Sequence, residues 1–426
     1  MQARSKRRIG GALVATLALG AMAGSPVAHA ASGLAPFSAS RGCVSAQPIA
    51  PCKKSNGAAG GPIVLSPDGH FAYVASYTSD AIAVFALHGG TVSQVPGPGG
   101  CIAGGDGRPG CMHDVDLDEP TDIVLSPDGR QAYVANEDGN EVEVFDRDAT
   151  TGRLRPAPGI PGVRVEGPNV LASSPDGREL YVADGFGGIA VLARDPETGA
   201  IHLLEEVKDC LPGPHGCLAF FGFQIVVSPD GGNVYLSSFP RGRRNSGVHV
   251  IQGFNRNPLT GSLTPIAGPA GCATDVKAGS CQIVPQLEGF SMAISPDGKS
   301  LYVGAFTPGA IFAFDREPSG ALEAKRGGTV CLGHRDHGSC SSLSLANAQG
   351  LVVSADGRKV YATGDRSLVA LDRSSSGMLR VAGRLKHPSF NLGMDLALSP
   401  NGRVLYDSVA HPGGLRSFSL ARQHGG

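Results

Sequence analysis

The sequence predicts an all-β fold: a seven-bladed β-propeller of four-stranded antiparallel blades. Three observations carry it. A strand–turn–strand unit centred on Ser-Pro-Asp-Gly recurs seven times. Each copy runs on into a third strand and a second tight turn. The last copy runs out before its fourth strand, and an unassigned strand-like segment precedes the first copy. Self-similar units in series mean a stacked or radial array, and four antiparallel strands per unit is the composition of a propeller blade.

The seven turns begin at Ser66, Ser126, Ser174, Ser228, Ser295, Ser354 and Ser399; the sixth reads Ser-Ala-Asp-Gly and the seventh Ser-Pro-Asn-Gly. Proline presets φ for a tight turn and glycine supplies the positive φ that closes it. The flanks of the second copy show the hairpin. Asp122-Ile123-Val124-Leu125 precedes the turn and Gln131-Ala132-Tyr133-Val134-Ala135 follows it, both rich in β-branched and aromatic residues. A polar loop then leads to a third strand, Val142-Glu143-Val144-Phe145, and a second turn ends at Gly152 before Arg153-Leu154 opens the fourth. Gly33-Leu34-Ala35-Pro36-Phe37 precedes the first cysteine pair as Gly320-Ala321-Leu322 precedes Cys331. The N-terminal segment is therefore expected to supply the outer strand of the last blade and remove an open edge.

Residues 1–30 have the layout of a secretory signal peptide: a basic start at Arg4, Lys6, Arg7 and Arg8, an apolar stretch, and Ala28-His29-Ala30 as a small-x-small cleavage site. The expected division is signal peptide 1–30 and a single propeller domain 31–426, secreted and extracellular, with no membrane anchor. Either the general or the twin-arginine route suits this signal. Removing four basic residues takes the net charge from −1 to about −5, which argues against a nucleic-acid partner. A monomer is expected.

The ten cysteines form five close pairs: Cys43/Cys52, Cys101/Cys111, Cys210/Cys217, Cys272/Cys281 and Cys331/Cys340. Local pairs in an exported chain read as disulfides. Zinc is the competing account, but the spacings are wide and no histidine pair accompanies them.

The pairs fall in the blade-to-blade connections, on the same face as the loops between second and third strands. That face and the central channel are where binding residues are expected, while the signature turns occupy the opposite face. Four residues before each signature serine, on the channel-lining strand, stand Pro62, Asp122, Val170, Gln224, Ser291, Gly350 and Asp395. Asp122, Gln224 and Asp395 are the polar candidates. Two carboxylates in one channel can hold a cation or act as an acid/base pair, or they can accept hydrogen bonds from the backbone. Arg241, Arg243 and Arg244 form a basic loop suited to a carboxylate or phosphate, and His411 lies between the second and third strands of the last blade. Asp114, Asp116 and Asp118 alternate after Cys111 and are candidates for a structural divalent cation, without the glycine and distal glutamate of a calcium loop. No other cofactor is expected.

Ser-Pro-Asp-Gly followed by Ala72-Tyr73-Val74-Ala75, Ala132-Tyr133-Val134-Ala135, Leu180-Tyr181-Val182-Ala183 or Leu301-Tyr302-Val303-Gly304 resembles the YVTN-type, lactonase-like β-propellers over nearly the whole mature chain. Lactonase members of that family use a histidine, arginine and glutamate cluster at the channel mouth. The third blade here reads Gly167-Pro168-Asn169-Val170 instead, and no catalytic residue carries over position by position. The resemblance implies a lactonase-like hydrolase of a small lactone or sugar-acid-derived substrate as the alternative. The residues themselves contain no Gly-x-Ser-x-Gly elbow and no complete catalytic set. They favour a non-catalytic binding or scaffold propeller, taking a small molecule or an extracellular protein on its loop face.

Overall fold

A computed structural model describes residues 34–36, 39–47, 52–57, 60–185, 187–208, 212–213, 216–217, 220–240, 249–277, 279–306, 309–331, 348–364, 367–386, 391–411 and 413–420. The strands form seven antiparallel sheets in chain order, with a small two-stranded ribbon between blades 3 and 4. Blade 2 is typical: Pro120–Leu125 innermost, then Gln131–Asn136, Glu141–Arg147 and Leu154–Pro156. The inner strands of successive blades follow one another as Ile63–Leu65, Pro120–Leu125, Pro168–Ser173, Phe220–Val227, Gly289–Ile294, Gly350–Val353 and Asn391–Leu398. The last blade, blade 7, adds Val404–His411 and Gly414–Leu420, and Leu34–Pro36 and Cys43–Ser45 pair antiparallel to that third strand.

The signature turn is built from its own side chains. Ser126 Oγ donates to Asp128 (2.6 Å) and accepts from the Gln131 amide (3.0 Å), and the Gly129 amide donates to the Ser126 carbonyl (2.8 Å). Gly129 has φ +68°, a conformation costly for any side-chain-bearing residue.

The turn also joins neighbouring blades. The Tyr73 hydroxyl of blade 1 donates to the Gly152 carbonyl of blade 2 (2.8 Å) and accepts from Arg147 Nε (2.6 Å). Arg147 then donates to the Gly129 carbonyl (2.9 Å) and to Asp68 of the preceding signature turn (3.0 Å). Gly152, at φ +73°, lets this approach happen, because a Cβ there would stand 2.1 Å from the Phe71 ring. The same tyrosine–arginine clamp recurs as Tyr133–Arg194, Tyr181–Arg256, Tyr235–Arg316 and Tyr302–Arg373. Partial burial pushes the Asp68 carboxyl up, while the Ser66 hydroxyl, the His70 amide and Arg147 together pull it below its usual range.

The two junctions of blade 7 differ. Leu87 and Leu420 hold the backbone position that Arg147 holds in blade 2, each donating to the residue after its signature glycine. Tyr406 packs with Leu87, Val404 and Leu415, and Tyr361 packs with Leu34, Phe418 and Leu420. Apolar contact replaces the clamp there.

Three disulfides are described: Cys43–Cys52, Cys101–Cys111 and Cys272–Cys281, with Cα atoms 4.8–4.9 Å apart. Cys101–Ala103 and Cys272–Thr274 pair with the starts of their blades' third strands, so both loops lie on the face of the second-to-third-strand turns. Cys210–Cys217 and Cys331–Cys340 lie outside the described residues, as do residues 1–30. Three intramolecular bridges fit an oxidising compartment, extracellular or periplasmic. Among the described residues no helix is long and apolar enough to cross a membrane.

Candidate functional site

The channel face is built on a repeated irregularity. The inner and second strands shift register at Thr121, Asn169, Phe223, Phe290 and Met394, just before the positions of Asp122, Val170, Gln224, Ser291 and Asp395. A bulge re-aims the side chains around it, and here it turns them toward the neighbouring blade. Asp122 accepts from its neighbour Ile123 (2.8 Å) and from the Leu171 amide of blade 3 (2.7 Å). Asp395 accepts from Leu396 (2.8 Å) and from the Ile63 amide of blade 1 (3.1 Å). Gln224 accepts from the Met292 amide of blade 5. Each side chain therefore staples its blade to the inner strand of the next.

Burial pushes the Asp122 carboxyl up to about 7, against the pull of its two amide partners, and the Asp395 charge adds to the rise. Burial likewise takes Asp395 to about 6, against the Ile63 and Leu396 amides. The two carboxylates sense each other but share no ligand, proton donor or arginine in the described hydrogen bonds. The backbone-accepting role is the one their geometry fills, and the amides come from across the blade boundary.

At the loop-face end of blades 4 and 5 the structure assembles an aromatic rim. Phe223 stacks on Phe239 (4.6 Å between centroids) and meets Phe290 (4.6 Å), which in turn meets Phe306 (5.7 Å); His249 lies 6.3 Å from Phe239. Phe223, Phe239 and Phe290 are half-buried and Phe306 is exposed. Low aromatic content conceals this cluster in the sequence; the signal that reveals it is a phenylalanine at the bulge position in two successive blades. Arg241, Arg243 and Arg244, which follow Phe239 in the chain, lie outside the described residues. His411 closes the second strand of blade 7, paired in register with Asn391.

The acidic run behaves differently from its even spacing. Asp114 and Asp116 come together with Glu143 of blade 2, one carboxylate oxygen from each lying within 4.8 Å of the others. Asp118 does not join them: it is exposed and faces Asp80 and Asp138. Leu117, fully buried in the core between blades 1 and 2, separates the two groups. Burial pushes the Glu143 carboxyl up to about 8, opposed by the Asn136 side chain and reinforced by Asp114 and Glu141. Burial raises Asp114 as well.

With this geometry in hand, the fold is that of the lactonase-like seven-bladed propellers. The chain is similar to a 6-phosphogluconolactonase-type protein of Bacteroides fragilis (17% identity, 84% of this chain and 94% of that one, TM-score 0.61). It is also similar to the periplasmic gluconolactonase of Pseudomonas aeruginosa (22% identity, 82% and 91%, TM-score 0.61) and to hydrazine synthase of Kuenenia stuttgartiensis (16% identity, 88% and 99%, TM-score 0.56). Three differently named proteins on one architecture show that the likeness carries the fold and not a chemistry. No family model and no curated protein sequence matches the chain.

Proposed function

We propose that this protein is an exported binding or scaffold propeller that holds a small molecule or an extracellular protein at its loop face, with the aromatic rim of blades 4 and 5 as the contact surface. One observation carries the reading. Asp122, Gln224 and Asp395, the polar channel side chains that would serve hydrolysis, are all engaged on backbone amides of the next blade. An acid or base so engaged is a poor proton shuttle, since general catalysis needs the group in reach of a substrate proton. Half-buried aromatic rings on a rigid scaffold instead offer contact area at low entropic cost.

The second reading is lactone hydrolysis, supported by likeness to the Pseudomonas aeruginosa gluconolactonase. One experiment separates the two. The mature protein is assayed for opening of gluconolactone and 6-phosphogluconolactone, and screened for ligands by thermal shift and calorimetry. The expected result is lactone opening at the buffer rate, and a ligand whose binding weakens about tenfold or more in Phe290→Ala. Turnover above the buffer rate that falls in Asp122→Asn or Asp395→Asn overturns the binding reading in favour of the enzyme.

A further inference from the structure

The junction between the Cys101–Cys111 loop and blade 2 carries a cluster that its local structure leaves incomplete. Asp114 is tied down by its amide, which donates to the Ala103 carbonyl (3.0 Å), and its Oδ1 accepts from the Asp116 amide (3.2 Å). Its other oxygen, Oδ2, is buried and has no hydrogen-bond partner, and neither has Glu143 Oε2. Both residues are more than nine-tenths buried, at 7% and 8% exposure. Asn136, fully buried beside them, donates to the Asp116 carbonyl (3.4 Å) while its own Oδ1 is also unpaired. Buried carboxylate oxygens without donors are unfavourable, and three acidic side chains repel one another at this range. The nearby cations sit at the edge: His113 next to Asp114, and Arg164 against Glu141.

We propose that Asp114, Asp116 and Glu143 bind one calcium ion, which ties the first fully described cysteine-closed loop of the propeller to the third strand of blade 2. The donors are all hard oxygens, the set calcium prefers. Their 4.8 Å spread matches oxygens on opposite sides of an ion with bonds of about 2.3–2.6 Å, and is too wide for the about 2.0–2.1 Å bonds of magnesium. Asp116 is exposed, which gives the ion a path in and leaves room for water to complete its shell. The distal carboxylate that a contiguous calcium loop would supply comes here from another strand.

The test uses the mature protein stripped with chelator, then titrated with calcium chloride while thermal unfolding and bound calcium by equilibrium dialysis are followed. The expected result is about one calcium per chain, with a dissociation constant near the 10⁻⁴–10⁻³ M typical of extracellular sites, and a rise in Tm of roughly 2–5 °C at millimolar calcium. Magnesium at the same concentration gives a smaller rise. Glu143→Gln loses the response. Asp116→Asn, an exposed change that leaves the fold intact, weakens binding by about tenfold or more, and it decides the matter alone should Glu143→Gln fail to fold. Asp118→Asn, outside the cluster, keeps the full response. Absence of calcium binding in the unaltered protein overturns the proposal, as does a response retained in Asp116→Asn. So does a Glu143→Gln protein that becomes more stable with no calcium response, which marks two carboxyls sharing a proton.

Discussion

Between blades 1 and 6 every junction carries a tyrosine–arginine clamp, whereas the two junctions of blade 7 put Leu87 and Leu420 where the arginine would stand. The clamp is directional. It fixes one hydroxyl, one guanidinium, two carbonyls and an acid of the neighbouring turn within hydrogen-bond range, and it tolerates little sliding. Apolar packing is non-directional and forgives small shifts in register. Blade 7 is the one blade assembled from distant parts of the chain, since Leu34–Pro36 pairs with Phe418–Leu420. The contrast teaches that a blade made from contiguous sequence uses precise polar contacts, and the blade that must receive a distant strand uses greasy ones. The turn sequences agree: the seventh has Asn401 where the clamped junctions have an acid.

The largest way to break this contrast is Arg256→Ala. Arg256 is the clamp that meets two acids, Asp176 at 2.7 Å and the buried Glu179 at 2.5 Å. Its removal leaves Glu179 buried without its cation, a loss of about 3–5 kcal/mol, read by urea unfolding. At the closing blade the corresponding element is the Cys43–Cys52 bridge, whose first cysteine pairs in register with Arg416. Replacing both cysteines by serine should cost about 2–3 kcal/mol in the chain-entropy model. A free-thiol count on the unreduced, unfolded wild type should find none from this pair.

A paired hydroxyl deletion sharpens the comparison further. Tyr235→Phe strands the Gly320 carbonyl and Arg316 Nε and should cost about 1–3 kcal/mol. Tyr406→Phe, at a clampless junction, should stay within about 0.5 kcal/mol. Equal losses in the two variants would end the distinction. The smallest effect is electrostatic. Asp122 at about 7 and Asp395 at about 6 lie above the ordinary aspartate value of about 3.9. Between about pH 4 and 7 the folded state holds protons that the unfolded chain lacks, so these two groups make stability fall as pH rises through that window, by at most about 1.4 kcal/mol per pH unit each. The clamp acids Asp68 and Asp297 are shifted down, so their contribution is present above about pH 4 and is lost in stronger acid. Asp122→Asn should flatten the slope between pH 5 and 7.5 and leave the acid limb unchanged.

The repeat was legible because its turn chemistry is local: serine, proline, aspartate and glycine form the signature turn from within six residues. Counting back from each turn also located Asp122, Gln224 and Asp395. Their partners were not legible, since the amides they meet lie 49, 68 and 332 residues away. The clamp arginines were quoted only as turn openers, although Arg147, Arg194, Arg256, Arg316 and Arg373 end the third strand in five successive copies. Glu143 escaped because Glu141-Val142-Glu143-Val144 reads as an alternating strand with one wet face. Alignment of the copies by register would have exposed it: the equivalent residues are Ala83, Ala190, Phe312 and Val369. An acid where four other blades bury an apolar residue calls for a partner, and the sequence order of Asp114, Asp116 and Asp118 pointed to the wrong third member.

The pairing of Leu34–Pro36 with Gly414–Leu420 sets a schedule for the chain as it is made. Ser419 Oγ donates to the Ala35 carbonyl across 384 residues, among the most distant contacts in the molecule. Contacts of such separation form slowly, and this one has no partner to find until synthesis is nearly finished. The ring therefore stays an open arc throughout elongation, with its earliest strand waiting for its latest. A molecule that cannot close before it is whole is one that can be threaded through a narrow pore, and the greasy seam is the latch that engages on the far side.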